Sequence, residues 1–237
     1  MHMKKIVLGG LEGKMGSFLL EGLCIEGKVT VVAGVGTKAK LRRKIPIYSD
    51  LNRLLKEVEF DVYVDFTEYE FSKYASEFML RAGIPIVIGT TGFLPEDIEY
   101  LKGVAKEVGG CGIIAPNFSI GAILLNKFAE ICTQYFVDFA VTEYHHASKK
   151  DNPSGTAIYI ANSIDKKLDR ELGTTPVHGI RLPGVLATHH VIASDESQKL
   201  ELIHQSNDRH SFEQGVLLAV SKLETLEELV YGLEHLT

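Results

Sequence analysis

Short continuous apolar runs alternate with amphipathic stretches through the first half of the chain, and few folds accommodate that pattern. The runs are Ile6 to Leu8, Val29 to Ala33, VYVDF (Val62 to Phe66), PIVIG (Pro85 to Gly89) and GIIA (Gly112 to Ala115). Between them, one helical stretch carries Phe18, Leu19, Leu23 and Ile25. LNRLLKEV follows Ser49 and Asp50 as candidate caps, a third stretch ends near Ala82, and a fourth runs from about Pro95 to Val108. A short strand that is apolar at every position is buried on both faces, and alternation with helices makes such strands parallel. The pattern predicts a Rossmann-like α/β domain, a doubly wound parallel sheet with helices on both sides.

The pattern changes after residue 117. A helix is expected from about Ile120 to Phe136, and DFAVTEY (Asp138 to Tyr144) then alternates apolar and polar residues. After a helix near residues 155 to 172, VHGIRL, THHVIAS and KLELIHQS alternate with no helix between them. Such strands form a sheet with one face solvated or covered by a partner. SFEQGVLLAVSKL and TLEELVYGLEHL return to helical spacing and are expected to pack back on the first domain as helices. The expected division is a discontinuous first domain, residues 1–117 and 215–237, around an α+β domain with an open mixed sheet, residues 118–214.

The 237 residues carry a net charge of −6, so nonspecific attraction to nucleic acid or anionic membrane is not expected. Cys24, Cys111 and Cys132 form no CxxC pair and read as reduced thiols of a cytoplasmic protein. In MHMKKIVLGG only Ile6, Val7 and Leu8 follow the lysines before glycine, too short for a signal-peptide core. No apolar run approaches the roughly 18 residues of a membrane span.

Gly10, Gly13 and Gly16 follow the first strand in GLEGKMG, where glycine permits a tight turn and lets phosphate approach the amides of a helix start. The spacing is GxxGxxG rather than GxGxxG, and a plain strand-to-helix turn remains the alternative. Enzymes that read NAD place an acid at the end of the second strand. Here that strand runs into Gly34-Val35-Gly36-Thr37, then Lys38, Lys40, Arg42, Arg43 and Lys44, with no carboxylate nearby in sequence. Thr37 and Lys38 are candidates for a 2′-phosphate; the distal cations read as a solvated loop. Gly89-Thr90-Thr91-Gly92 lies beyond the fourth strand, where two hydroxyls suit a nicotinamide ribose or carboxamide, or simply a polar turn.

The densest chemistry is EYHHASKKDNPSGTA, from Glu143 to Ala157. His145, His146, Lys149 and Lys150 precede Pro153-Ser154-Gly155-Thr156, which opens a helix. Cations beside a helix N-terminus form an anion site, and a small dicarboxylate would use it well. Adjacent histidines supply a general acid near neutral pH. Ser154 or Thr156 can equally be a helix cap. A metal site from His145-His146 and His189-His190 is not expected, because neighbours on a strand face opposite ways and no HExxH or cysteine pair accompanies them.

This segment is similar to the E-x-H-H-x-x-K-x-D-x-P-S-G-T-A signature of the dihydrodipicolinate reductase family and matches every specified position. GLEGKMG resembles the family's GxxGRMG, VDFT its DFT and IGTTGF its GTTG; APNFSIG (Ala115 to Gly121) and DRHSFEQG (Asp208 to Gly215) also fit. The resemblance implies an NADPH- or NADH-dependent oxidoreductase acting on a small dicarboxylate. Its fold would be a Rossmann domain plus a sheet domain that assembles a homotetramer. His145 is implied as the proton donor and Lys149 as the second catalytic group, with His146, Lys149, Ser154, Gly155 and Thr156 binding substrate carboxylates. Gly10, Gly13, Lys14, Met15 and Gly16 would line the pyrophosphate turn. Phe66, Thr67, Gly89, Thr90, Thr91, Ala115, Asn117, Phe118, Arg209 and Phe212 would complete the cofactor site.

Three positions depart from the family pattern. Lys14 replaces arginine, which keeps the charge and loses the planar fork. Glu68-Tyr69 follows DFT where a neutral or basic residue and proline are usual. RLPGVLATHH aligns with the family's R-x-G-G-x-x-G-x-H only through Arg181, Gly184 and His189. Two rivals stay open at this point: a dehydrogenase for another carboxylated imine or amino acid, and a nucleotide-binding sensor without catalysis.

Overall fold

A computed structural model describes residues 3–36 and 45–236. By internal contacts these form two compact units, one comprising residues up to Phe118 and from Phe212 onward, the other Ser119–Ser211.

The first unit is built on a seven-stranded parallel sheet. Its strands are β1 (Lys4–Gly9), β2 (Val29–Val35), β3 (Ile47–Tyr48), β4 (Val62–Asp65), β5 (Ile86–Ile88), β6 (Gly112–Ile114) and β11 (Leu229–Tyr231), in the order β11-β6-β5-β4-β1-β2-β3. The chain leaves β1 for β2 on one side and later places β4 on the other. This reversal is the switch point beside which open α/β sheets bind ligands. Helix α1 (Lys14–Glu26) packs on β2 and on α7 (Glu213–Lys222), which also meets β5. Helices α2 (Leu51–Glu57), α3 (Tyr69–Arg81) and α4 (Pro95–Val108) supply Leu54, Met79, Leu80 and Leu101 to a core with Val7, Tyr63, Ile86, Ile88 and Ile114 of the strands. Burying each such side chain contributes roughly 1.5–3 kcal/mol. Of the two candidate caps before α2, Asp50 serves: its carboxylate accepts from the amides of Asn52 at 2.8 Å and Arg53 at 3.3 Å.

The C-terminal segment corrects one expectation. TLEELVYGLEHL has helical spacing, yet Leu229–Tyr231 is strand β11, paired with Gly112–Ile114 and flanked by short 3-10 turns. The edge of β6 offers unpaired backbone groups, and satisfying them outweighs weak local helical preference.

The second unit is a four-stranded mixed sheet, β7 (Asp138–His145), β8 (Val177–Arg181), β9 (Ala187–Ser194) and β10 (Lys199–Ser206), ordered β10-β9-β7-β8. Strand β8 runs parallel to β7, and the other two pairings are antiparallel. Helices α5 (Ile120–Cys132) and α6 (Gly155–Lys167) cover one face. Period-2 alternation sends Phe139, Val141, Glu143 and His145 of β7 inward, while Ala140, Thr142 and Tyr144 face away. On that outer face Ile203 is 62% exposed. Both helices stop sooner than their apolar periodicity suggests. Thr133 closes α5 with its hydroxyl on the Glu130 carbonyl, and buried Asp165 draws back the amides of Gly173 and Thr175 after α6. Among the described residues no helix is long and apolar enough to cross a membrane.

Candidate active site

In the first unit the glycine turn joins β1 to α1. Gly10 has φ +76°, and a Cβ built there would lie 2.4 Å from the Phe66 carbonyl oxygen; one on Gly16 would lie 2.2 Å from that of Gly10. Side chains are therefore excluded at both positions, and the backbone folds tightly under the start of α1. Among the described residues no side chain caps α1 at Gly13, no acid occupies its first turn, and exposed Lys14 is its first residue. A cation at a helix N-terminus opposes the dipole unless an anion joins it, so this end suits a phosphate group. Met15 lies half-buried beside Lys14.

Thr37 and Lys38 lie outside the described residues, as do Lys40, Arg42, Arg43 and Lys44. The end of β2 nonetheless differs from the sequence expectation. A Cβ built on Gly36 would lie 2.7 Å from Glu12 Oε2, so a carboxylate does stand at the end of the second strand. It comes from the glycine turn, far away in sequence.

Asp65, at the C-terminal end of β4, is fully buried and organises the neighbouring loops. Its Oδ1 accepts from the Thr67 amide at 2.9 Å, the Thr67 hydroxyl at 2.7 Å and the Thr90 hydroxyl at 2.6 Å; its Oδ2 accepts from Tyr63 Oη at 2.5 Å. The Gly89 amide donates to the Asp65 carbonyl at 2.8 Å. Thr90 is thus turned inward, leaving Thr91 exposed on the loop surface. The rings of Phe66 and Phe118 meet at 5.6 Å, and Ala115 and Phe118 are buried with Asn117 half-buried between them. Arg209 opens the 3-10 turn that ends at Phe212.

In the second unit β7 delivers His145 to the buried face beside Glu143, whose Oε2 contacts His145 Nδ1. The other carboxylate oxygen accepts from Arg181 Nη2 at 2.8 Å and from the Ser154 amide at 3.1 Å. Register explains the meeting: His145 pairs with Arg181 of β8, and Glu143 with His189 of β9. His189 pairs in turn with His204 of β10. His145 and His189 rings lie 5.3 Å apart edge to face, and His189 stacks with His204 at 6.4 Å. Burial, helped by the neighbouring histidines, lowers the His189 pKa to about 3, so its ring is neutral; among the described residues neither buried ring nitrogen has a hydrogen-bond partner. His204 is likewise pushed down by burial, and its Nε2 lies 3.1 Å from Ser119 Oγ. Burial lowers His145 too, against the opposing pull of Glu143.

His146 lies beyond the strand, its Nδ1 2.9 Å from Ser148 Oγ. His190 turns to the opposite sheet face from His189, 3.3 Å from Glu201 Oε2. Among the described residues no three histidine, cysteine, aspartate or glutamate side chains are placed to hold a metal ion.

The turn at the start of α6 has an internal anion. Ser154 is the helix cap, its hydroxyl accepting from the Ala157 amide at 3.3 Å. Lys149 Nζ lies 2.8 Å from Asp151 Oδ2. Burial raises the Asp151 pKa, yet Lys149 and the backbone amides of Asp151 and Gly155 hold it below the ordinary carboxylate value. A carboxylate therefore already rests on the same lysine and helix start that the sequence marks for an anion. Gly155 faces open space, and Thr156 is half-buried next to it. Sequence reasoning gave no role to Asp65, Glu143, Arg181 or His204. The i, i+2 placement of Glu143 and His145 on one strand was the available signal, since a buried carboxylate requires partners.

Comparison with known proteins bears on what this geometry serves. The family described as dihydrodipicolinate reductase, N-terminus, matches residues 4–118, and dihydrodipicolinate reductase, C-terminus, matches 121–237. A 4-hydroxy-tetrahydrodipicolinate reductase of Geobacillus kaustophilus is 44% identical, covering 81% of this chain and 79% of its own. One from Streptococcus uberis is 37% identical and covers 98% of each. Among solved structures, a dipicolinate-bound dihydrodipicolinate reductase from Paenisporosarcina sp. TG-14 has a TM-score of 0.87 at 30% identity over all of both chains. A probable dehydrogenase from Thermotoga maritima, 9% identical with a TM-score of 0.72, shares the fold over 98% of this chain and 92% of its own.

Proposed function

The chain belongs to the dihydrodipicolinate reductase family, and from that premise we propose how its own residues serve the family's reaction. It is an NADH- or NADPH-dependent oxidoreductase of lysine and diaminopimelate biosynthesis. It reduces the cyclic imine formed from 4-hydroxy-tetrahydrodipicolinate to tetrahydrodipicolinate. The substrate is a small dicarboxylate.

We assign cofactor binding to residues 1–117 and 215–237, and substrate binding and oligomerisation to 118–214. When bound, the reduced nicotinamide supplies the hydride. The uncapped start of α1 fits a pyrophosphate between Gly13, Lys14, Met15 and Gly16, with Gly10 shaping the turn. Thr67, Gly89, Thr91, Ala115, Asn117 and Phe118 would surround the nicotinamide side, with Thr90 holding its loop through Asp65. On the substrate side, Lys149 and the amides of Gly155 and Thr156 hold a carboxylate, and His146 contacts the substrate beside them. The observation that carries this assignment is the Asp151 carboxylate, resting on Lys149 and the start of α6. That pair is half-exposed on the aspartate side, so a substrate carboxylate can replace it at little cost. His145 supplies the complementary proton from Nε2, its Nδ1 being engaged by Glu143. The outer sheet face around Tyr144, Ile192 and Ile203 supports a homotetramer formed through the second unit, which light scattering at micromolar concentration tests; a monomer would contradict it. We place the reaction in the cytoplasm, on the sparse cysteines, which form no CxxC pair in sequence.

The decisive assay supplies purified protein with reduced cofactor and the product of dihydrodipicolinate synthase. Cofactor oxidation is expected only when that product is present. Firm cofactor binding with no turnover would overturn the reading in favour of a sensor.

A further inference from the structure

We infer that Glu143, itself held by Arg181, is the positioning residue that fixes the tautomer of His145 and sets the pH range over which His145 can give up its proton. The inference rests on the reading of His145 as the acid.

Glu143 is fully buried, and each of its carboxylate oxygens is committed. Oε2 meets His145 Nδ1; Oε1 accepts from Arg181 Nη2 at 2.8 Å and the Ser154 amide at 3.1 Å. With an ionised carboxylate at Nδ1, that nitrogen keeps its hydrogen in both protonation states of the ring. The exchanging proton is then confined to Nε2. Burial pushes the Glu143 pKa up, but the hydrogen bonds from Arg181 and His145 bring it below its ordinary value, so the carboxylate stays ionised through the working pH range.

The groups facing His145 come from four directions. Glu143 lies on its own strand, Lys149 on the following loop, Arg181 on β8 and His189 on β9, with His204 of β10 behind His189. Burial, Lys149 and Arg181 all favour the neutral ring, His189 is itself neutral, and Glu143 alone among these groups favours the imidazolium. Arg181 has a double effect, since it secures Glu143 and repels the proton on His145. Its Nη2 also reaches the Asp151 carbonyl at 2.5 Å. The segment that matches the family pattern least thus begins with a residue that ties the acid to the carboxylate-binding turn.

The test pairs Glu143→Gln with Arg181→Gln. It follows the His145 ring by nitrogen NMR across pH, assigned through loss of the signal in His145→Gln, and kcat across pH on the same preparations. Glu143→Gln keeps the side-chain shape and removes the charge, so the His145 pKa and the alkaline limb of kcat should both fall by at least about one unit, roughly a tenfold loss at a fixed pH above the limb. Arg181→Gln should move both upward. A merely structural role would lower melting temperature without producing shifts of opposite sign. If Glu143→Gln does not fold, Glu143→Asp carries the test: its shorter side chain draws the carboxylate away from Nδ1, so the His145 pKa and the alkaline limb should still fall. Unchanged titration, or shifts of the same sign in folded Glu143→Gln and Arg181→Gln, would overturn the inference. A titration that shifts as expected while the kcat limb stays put would instead overturn the assignment of His145 as the acid and leave the pairing intact.

Discussion

Asp65 in the first unit and Glu143 in the second are both fully buried carboxylates near the C-terminal end of a strand, and each gathers loops that carry candidate ligand contacts. Their surroundings differ in charge. Asp65 takes neutral donors, the hydroxyls of Tyr63, Thr67 and Thr90 and one amide. Glu143 takes the guanidinium of Arg181, the ring of His145 and one amide. A carboxylate surrounded by neutral donors can hold a shape, and nothing near it exchanges protons at working pH. A carboxylate placed between a permanent cation and a histidine also controls whether that histidine is charged. On the proposed assignment the cofactor side is therefore built for fixed geometry and the substrate side for proton transfer.

The largest effect expected from breaking this contrast is on His145, the proposed acid. His145→Gln should lower kcat by about 10²- to 10⁴-fold while the dissociation constant for reduced cofactor holds. Lys149→Ala should raise KM as well as lower kcat, because it removes the cation proposed to face a dianion. Steady-state kinetics, cofactor titration and thermal melts on the same preparations separate these outcomes from plain destabilisation.

Next in size is Asp65→Ala. It strips the acceptor from three hydroxyls and the Thr67 amide, and each buried donor left unsatisfied costs about 1–3 kcal/mol. A clear fall in melting temperature and weaker binding of reduced cofactor are expected, and calorimetry measures both.

A smaller effect belongs to His189. Its folded pKa of about 3 lies below the unfolded value near 6.5, so the unfolded chain binds the extra proton between those values. The stability is complete above pH 6.5 and is lost as pH falls towards 3, at about 1.4 kcal/mol per unit, or roughly 2 kcal/mol by pH 5. Melting temperatures at pH 7 and 5 should show this loss, and His189→Leu should reduce it.

The smallest effect concerns cofactor choice. In the proposed cofactor site Lys38 would attract a 2′-phosphate and Glu12 would repel it. Lys38→Ala should therefore reduce kcat/KM for NADPH relative to NADH, and Glu12→Gln should do the reverse, each by about tenfold or less and less again at high salt. Native protein at low salt is expected to use NADPH at least as well as NADH; a large NADH preference would show that Glu12 dominates.

The parts of the molecule legible in sequence are those set locally. Continuous apolar runs identify β1, β2, β4, β5 and β6 because a doubly covered strand can have no polar face. The turn at Gly10 and the anion-binding start of α6 are readable because they depend on contiguous residues. Strand β11 is not, since three residues acquire their conformation from the edge of β6 rather than from their own spacing. Glu143 and Arg181 are 38 residues apart and meet only through the register of β7 with β8. The acid at the end of β2 is absent from the strand's own sequence and belongs to Glu12 of the glycine turn. Tertiary register, not motif, brings Arg181 to Glu143.

The contrast between the two carboxylates is tested most directly by kcat as a function of pH for three proteins side by side: native, Asp65→Asn and Glu143→Gln. Asparagine at 65 keeps the shape and an acceptor oxygen, so its alkaline limb should coincide with the native one even where cofactor KM rises. Glutamine at 143 should move the limb down by at least about one unit. A shifted limb in Asp65→Asn, or an unshifted one in folded and active Glu143→Gln, would contradict the division of the molecule into a part that holds shape and a part that sets protonation.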